Sequence, residues 1–253
     1  MAGRGSADRQ ERGRSFAGVA AEYAVLRPSY PADAVMFLLG HSRRRVLDLG
    51  AGTGLLTAVV RAAGHEVIAV DPAAPMLAQL SARLPDVRTV VGTAEQVPLA
   101  DGSVDAVVSG QAAHWFDPPA AAAEMRRLLR PGGVVGLVWN VRDSEVAWVR
   151  ALDELVSDEA RDHEADQGVV DAFGAELGAR VEHSESRVVQ DATPEQVVGS
   201  IGTRSYVAVM DADRRAAFLD RIRTLLATHP ETRGREVLHL PYRTDAYRLI
   251  PTG

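Results

Sequence analysis

Short apolar segments alternate with helical segments through the first half of this chain. The predicted strands are residues 45–49, 66–70, 87–91, 104–109 and 134–139, and the predicted helices between them are residues 55–63, 75–84 and 117–129. The strands are largely continuous apolar runs, which is typical of strands covered on both faces. Strands that alternate with helices form parallel βαβ units. The pattern therefore predicts an α/β fold with a doubly wound, mostly parallel sheet.

The second half of the 253-residue chain has a different composition. Residues 143–176 contain eleven acidic residues and two arginines, a net charge of 2 − 11 = −9. Such a stretch is typical of a solvated helix face, although it could also attract a cationic substrate. A sixth strand is expected at residues 181–190, a helix with one apolar face at 211–227 and a last strand at 236–249. We expect them to complete the same sheet and cover its edge.

Composition excludes several kinds of chemistry. The chain has no cysteine, and all 28 of its basic residues other than histidine are arginine. Disulfides, thiolate nucleophiles and cysteine-ligated metals are therefore excluded, as are a P-loop lysine and a Schiff-base lysine. The seven histidines are scattered without the spacing of a metal site, so no metal is expected. The net charge of −6 disfavours nucleic acid as a partner, because binding to phosphates needs a basic face.

The N-terminal sequence carries no targeting pattern. Residues 1–14 are polar and without periodicity, which predicts a disordered tail, and residues 16–40 resemble two short helices. Because the chain lacks an apolar signal region and a membrane-spanning run, we expect a cytoplasmic protein without a membrane segment. Residues 15–253 are expected to form a single domain, with a cofactor-binding core at 41–140 and the remaining strands and substrate-side helices at 141–253. The sequence leaves monomer and homodimer equally open.

A glycine-rich turn follows the first predicted strand, in the sequence VLDLGAGTG. Its glycines are spaced G-x-G-x-G and do not match the G-x-G-x-x-G pattern that cradles a pyrophosphate. Asp48 precedes them, and a carboxylate there repels phosphate but accepts hydrogen bonds from an ammonium group. Asp71 ends the second strand, where it can accept hydrogen bonds from both ribose hydroxyls. These features predict an adenosine-type ligand with a cationic amino-acid tail, and S-adenosylmethionine fits that description.

Five more stretches accompany the glycine-rich turn. AEYAVLRPSYP precedes it, and the stretches that follow it are, in order, VIAVDPAAPML, VVGTAEQVPLADGSVDAVVSGQAAHWF, LRPGGVVGLVWN and, near the end of the chain, LPYRT. With these motifs the chain resembles the class I S-adenosylmethionine-dependent methyltransferases. Within that family it resembles the small-molecule branch that contains trans-aconitate methyltransferases, most clearly over residues 16–140. The resemblance implies a Rossmann-like sheet of seven strands with an antiparallel C-terminal strand. It also implies that N-terminal helices and the helices of residues 193–229 form a lid.

The same resemblance assigns residues to the cofactor. Asp71 would bind the ribose, Met76 would pack on the adenine, and Ala94 and Glu95 would lie at the adenine edge. Many relatives have an acidic residue where this chain has Thr93, so either the Thr93 hydroxyl or Glu95 would replace it, or the contact is missing. The residues that would hold the methionine moiety are Asp48, Gly50, Gly52 and Thr53, with the backbone of residues 109–111, including Gln111. Two N-terminal residues would close over the cofactor, namely Tyr23 and Arg27, the latter facing its carboxylate.

The acceptor side is expected after the fourth and fifth strands. His114 would accept a proton from a hydroxyl or amine acceptor, or would only line the pocket. Trp115 would form part of the pocket wall, and Trp139, Asn140 and Arg142 could face the substrate. The predicted reaction is transfer of a methyl group to a small molecule by in-line displacement, with oxygen, nitrogen and carbon all open as the acceptor atom. Two alternatives are a regulatory or assembly protein that binds S-adenosylmethionine without turnover, and a nicotinamide oxidoreductase, which the glycine spacing disfavours.

Overall fold

The computed structural model describes residues 27–156, 163–204, 207 and 210–252. The strands are β1 (Arg45–Leu49), β2 (Glu66–Asp71), β3 (Arg88–Val91), β4 (Val104–Gly110), β5 (Leu129–Arg142), β6 (Ala179–Ala192) and β7 (Leu238–Pro251). The α-helices of the described ranges are α1 (Ala32–Leu39), α2 (Leu55–Ala62), α3 (Ala74–Arg83), α4 (Pro118–Leu128), α5 (Ala147–Leu155), α6 (His163–Leu177), α7 (Pro194–Gly202) and α8 (Ala212–Thr228). A single 3-10 turn covers Ala113–Trp115.

The seven strands form one sheet in the order β3-β2-β1-β4-β5-β7-β6. Strand β7 pairs antiparallel with both β5 and β6, and the other neighbouring strands pair in parallel. The predicted doubly wound sheet with seven strands and an antiparallel C-terminal strand is thus confirmed. The strand order reverses between β1 and β4. In sheets of this kind, ligands bind at the carboxyl ends of the strands beside such a reversal.

Apolar side chains cover both faces of the sheet, as the continuous apolar runs predict. On one face Leu47 packs in a cluster that includes Phe173 of α6, and on the other Val46 packs with Leu38 of α1. A third cluster joins α5, α7 and α8 to the beginning of β7. Three helices of the second half, α5, α7 and α8, therefore pack at the β6–β7 edge of the sheet, as expected, whereas α6 covers one of its faces.

The acidic stretch of residues 143–176 contains two helices, α5 and α6, whose bounds the sequence pattern does not predict. Both bury one apolar face, with Trp148 and Leu152 in α5 and Phe173 and Leu177 in α6. Apolar residues at a spacing of three to four mark a buried helix face. The acidic residues between them obscure that spacing in the sequence.

Strand β6 extends two residues beyond the prediction at each end, whereas β7 has the predicted length but begins and ends two residues later. Their register is continuous from the pair Ala179 and Pro251 to the pair Ala192 and Leu238. Strand β5 also begins earlier than predicted, at Leu129, and its pairing with β4 is interrupted before Val134. That interruption contains the Pro-Gly-Gly sequence, which supplies the turn.

Part of the N-terminal prediction lies outside the described residues, namely the tail at 1–14, the first of the two short helices and Tyr23. The second short helix is α1. Over the ranges that the structure covers, no helix combines the length and the apolar character needed to cross a bilayer.

Candidate functional site

The glycine-rich turn lies at the carboxyl end of β1, next to the end of β2. The backbone N–H groups of Gly50 and Ala51 both donate to the Val70 carbonyl, at 2.9 and 3.0 Å. Gly50 has a φ of +73°, and a Cβ at this position would lie 2.6 Å from the Cβ of Ala112. At Gly52, with a φ of +56°, a Cβ would meet nothing within 4 Å. The turn is therefore packed against the β4 side at Gly50 and faces open space at Gly52, where a ligand can approach the backbone.

Asp48 is the most deeply buried carboxylate of the site, with 0% of the residue exposed. Its Oδ2 accepts a hydrogen bond from the Thr57 hydroxyl at 2.5 Å, whereas its Oδ1 has no partner in the described part of the chain. Burial raises the pKa of Asp48 to about 7, although the Thr57 hydrogen bond opposes the shift. An unused buried carboxylate oxygen is costly. A cationic amino group supplied by a ligand would satisfy it, directly or through water.

Two more buried oxygen atoms beside the turn have no hydrogen-bond partner among the residues described. They are the hydroxyls of Thr53, within the turn, and of Ser109, near the end of β4. Buried polar groups without partners are rare in native proteins and each needs an explanation. Together with Asp48, they fit a polar ligand at this end of the sheet.

Asp71, the predicted ribose ligand, ends β2. Its Oδ2 accepts the Gly52 N–H at 2.9 Å and its Oδ1 accepts the Ala73 N–H at 2.8 Å. Burial raises the pKa of Asp71, and these two hydrogen bonds oppose that change. Each carboxylate oxygen can accept about two hydrogen bonds, so both keep capacity for a ligand hydroxyl. Asp71 can therefore hold the backbone at Gly52 and Ala73 and still accept hydrogen bonds from a ribose.

The residues predicted to contact the adenine lie in α3 and in the loop after β3. Met76 is buried in the first turn of α3, and Ala94 is buried in the loop. Thr93 and Gln96 close that loop through paired backbone hydrogen bonds. Glu95 Oε1 accepts the backbone N–H of Asp117 at 3.1 Å, which turns one of its oxygens toward the beginning of α4. Which of Thr93 and Glu95 contacts an adenine amino group stays a prediction.

Gln111 follows β4 directly and has a strained backbone. Its φ of 57° is the one positive value at a non-glycine residue among those described. Its N–H donates to the Val138 carbonyl at 3.0 Å, and its side-chain Nε2 donates to the Asn140 carbonyl at 2.7 Å. Such strain persists where surrounding contacts hold it, and it is enriched at binding sites. The N–H and the side chain of Gln111 thus both hold the turn against β5.

The 3-10 turn after β4 carries the predicted acceptor-side residues His114 and Trp115. Both are half-buried, and their ring centroids lie 4.5 Å apart. The next residue, Phe116, packs edge-on against Phe173 of α6 at 6.5 Å. The turn begins directly after Ala112, whose side chain contacts Gly50. His114 is therefore two residues from a direct contact with the glycine-rich turn.

The side chains at the end of β5 differ in where they point. Trp139 is only 1% exposed and packs in the core, edge-on against Tyr247 at 5.9 Å. That burial favours a packing role over the predicted contact with substrate. Asn140 uses its side-chain amide within the protein, donating to the Ser29 carbonyl and accepting from the Thr244 hydroxyl. The structure therefore brings Asn140 to the site edge but engages its polar atoms internally.

Arg142 forms an ion pair with Asp153 of α5, with 8% of its side chain exposed. It pairs across strands with Tyr242, which is also buried. Burial raises the pKa of Tyr242, and the charges of Arg142, Arg204 and Arg27 oppose that shift. The charges of three arginines from separate parts of the chain therefore act on one buried hydroxyl, together with that of Asp153.

Sequence reasoning did not select Asp153, Arg204 or Tyr242 as site residues. The only signal was the LPYRT stretch, which carries Tyr242 and supported the family resemblance. Asp153 lies in the acidic stretch, where composition hides it among other carboxylates. Within the ranges that the structure covers, no group of three or more histidine, aspartate or glutamate side chains is placed to hold a metal ion.

Comparisons with known proteins agree with this geometry. Residues 47–137 match the family model described as a methyltransferase domain. An uncharacterized methyltransferase of Mycobacterium tuberculosis is 43% identical over 240 residues, which cover 95% of this chain and 97% of that protein. A malonyl-[acyl-carrier protein] O-methyltransferase of Pectobacterium atrosepticum is 34% identical over 139 residues, covering 53% of this chain and 55% of that protein.

Among solved structures, a putative type II methyltransferase from Anaeromyxobacter dehalogenans is similar with a TM-score of 0.67 and 26% identity. That match covers 89% of this chain and 97% of the other. The relationship to the mycobacterial protein extends over nearly the whole length of both chains, and the matched domain contains the glycine-rich turn and Asp71. The chain therefore belongs to the class I methyltransferase family, and S-adenosylmethionine is its cofactor.

Proposed function

We propose that this enzyme transfers the methyl group to a small-molecule acceptor held at the carboxyl ends of β4 and β5. The observation that carries the proposal is the contact between Ala112 and Gly50, because it joins the 3-10 turn to the glycine-rich turn. His114 and Trp115 thus stand beside the cofactor's methionine end. An acceptor between the 3-10 turn and Arg142 would be close to the transferred methyl group.

In this proposal most of the rate enhancement comes from positioning. The cofactor supplies a methyl group on a sulfonium, and an in-line displacement needs the acceptor atom close and aligned. Asp48 and the Gln111 backbone would hold the methionine end, and Asp71 would hold the ribose. Met76, Ala94 and either Thr93 or Glu95 would surround the adenine. Arg27 would close the site from the N-terminal side, whereas the predicted role of Tyr23 falls outside the described residues.

His114 would take the proton of a hydroxyl or an ammonium group, which leaves a lone pair on the oxygen or nitrogen that attacks the methyl group. An acceptor that is already anionic needs no such base, and His114 would then act as a pocket wall with Trp115. The relative from Pectobacterium atrosepticum is named as an O-methyltransferase, which supports oxygen as one candidate acceptor atom.

The first test is calorimetric titration with S-adenosylmethionine and its demethylated product, S-adenosylhomocysteine, with NADH as the control ligand. We expect saturable binding of both adenosyl ligands, with dissociation constants on the order of micromolar, and none of NADH. A radiolabelled methyl donor is then offered with a panel of small carboxylates, alcohols and amines. Transfer to at least one of them supports the proposal.

Cofactor binding without transfer to any member of a broad panel would contradict the proposal. It would favour the alternative of a protein that binds S-adenosylmethionine in regulation or assembly.

A further inference from the structure

Asn140, at the carboxyl end of β5, joins three separate parts of the chain. Its Nδ2 donates to the Ser29 carbonyl at 3.2 Å, and its Oδ1 accepts from the Thr244 hydroxyl at 2.6 Å. Its own carbonyl accepts from Gln111 Nε2 at 2.7 Å. The Ser29 carbonyl can only accept a hydrogen bond, so the Nδ2 end of the Asn140 amide must face residues 27–30, which we call the N-terminal segment.

The contact with Ser29 determines where the N-terminal segment crosses the sheet. The next residue, Tyr30, is buried, and its hydroxyl would lie 2.5 Å from a Cβ placed on Gly110. Two consecutive residues therefore rest on the ends of β5 and β4. These are the two strands that carry the proposed acceptor side, and Arg27 lies just before them in the chain.

The contact with Gln111 reaches the cofactor side. Gln111 keeps its positive φ while its N–H and its side chain are both bonded to β5. Asn140 supplies the acceptor for that side chain with its carbonyl and holds the N-terminal segment with its amide. One residue thus connects the turn that lines the methionine end with the segment that covers it.

We propose that Asn140 is a positioning residue that seats residues 27–30 over the cofactor site, in register with the Gln111 turn. The proposal rests on the placement of the cofactor argued above and does not require that the acceptor be known. It replaces the expectation that Asn140 contacts the substrate, since its amide has a protein partner at both ends. Closure of the N-terminal segment over the cofactor then depends on the bond from Asn140 to Ser29.

Three substitutions separate this role from general stabilisation. Asn140→Asp can still accept the Thr244 hydroxyl but places a carboxylate oxygen against the Ser29 carbonyl. Thr244→Val removes the other bond of the same amide and leaves the contact with Ser29 intact. Asn140→Ala removes both side-chain contacts without adding a charge. An effect that Asn140→Asp and Asn140→Ala share is therefore not caused by the new carboxylate.

Hydrogen–deuterium exchange of residues 27–39 is measured for each full-length protein with and without S-adenosylhomocysteine. In the wild type and in Thr244→Val, we expect the ligand to slow exchange in this segment. In Asn140→Asp and Asn140→Ala the segment exchanges faster, and the ligand gives no protection. The dissociation constant for S-adenosylhomocysteine rises about tenfold in both Asn140 variants and less than about twofold in Thr244→Val.

The melting temperature of each variant supplies the reference for stability. If affinity falls in proportion to the loss of melting temperature in all three variants, Asn140 only stabilises the fold and the proposal is wrong. Ligand protection of residues 27–39 that persists in both Asn140 variants overturns it as well. Because only cofactor binding is measured, a failure to find any acceptor would count against the proposed function and leave this result unaffected.

Discussion

The carboxylate of Asp71 accepts the backbone N–H of Gly52 at 2.9 Å, which ties the end of β2 to the glycine-rich turn after β1. Its other oxygen accepts the N–H of Ala73. The side chain proposed to bind the ribose therefore also fixes the backbone around it. Preorganisation of this kind lowers the cost of ordering the site when the ligand binds.

Replacement of Asp71 by alanine is expected to weaken binding of S-adenosylhomocysteine by about a hundredfold, because hydrogen bonds to a charged group are lost together with the support of the turn. Calorimetric titration measures the effect. Asp86→Ala is the control, since Asp86 is an exposed carboxylate paired with Arg61 on the surface. Equal affinities of the two variants would exclude Asp71 from the cofactor site.

A Cβ at Gly52 is expected to interfere with the cofactor rather than with the fold. Gly52 and Gly132 both have a positive φ, and a Cβ at either would meet nothing within 4 Å. Gly52→Ala and Gly132→Ala should therefore lose similar stability, about 1 kcal/mol each, from backbone strain. Only Gly52→Ala should lose cofactor affinity, by at least about tenfold. Unfolding in urea and titration with S-adenosylhomocysteine compare the two, and equal affinities would show that no ligand approaches Gly52.

The buried carboxyl group of Asp48 should make stability depend on pH. Burial raises its pKa from 3.8 to about 7, so the folded chain keeps this proton at pH values where the unfolded chain has released it. The stabilisation is complete below pH 3.8 and is lost as the pH rises toward 7. Asn at this position carries no charge at any pH. The free energy of unfolding of Asp48→Asn relative to the wild type should therefore increase between about pH 4 and pH 8, by on the order of 1 kcal/mol or more.

Urea unfolding of both proteins at a series of pH values measures this difference. A difference that does not change with pH would show that Asp48 has the same pKa in the folded and unfolded chains.

Substitution of His114 separates a base from a pocket wall. If His114 takes the proton of the acceptor, His114→Asn should lower kcat by about a hundredfold and leave the affinity for S-adenosylhomocysteine unchanged. The acidic limb of the pH–rate profile, which reports the free base, should disappear in the variant. A rise in the acceptor KM at constant kcat would instead assign His114 to acceptor binding.

The strands of this fold were predictable because their burial on both faces leaves continuous apolar runs, as in the segment that contains Leu47. Asp71 and the glycines were predictable because few residue types meet the demands of those positions. Arg142 and Tyr242 are neighbours because β5 pairs with β7. No local sequence pattern predicts a contact between residues so far apart in the chain. The predicted contact of Trp139 with substrate rested only on its position near the end of β5. Such a position does not indicate whether the side chain points into the core or toward the site. The closer resemblance to the trans-aconitate branch stays a prediction.

Strand β7 lies between β5 and β6, although both of these precede it in the chain. During synthesis on the ribosome, β5 and β6 therefore emerge before the strand that must separate them. The contact of Thr244 with Asn140 cannot form until that insertion has taken place. A nascent chain that lacks its last strand would present two unpaired strand edges, and such edges are prone to mispairing. The proposed acceptor side, where β5 pairs with β7, is thus among the last parts of the enzyme to be assembled, and premature termination before Thr244 would leave it incomplete.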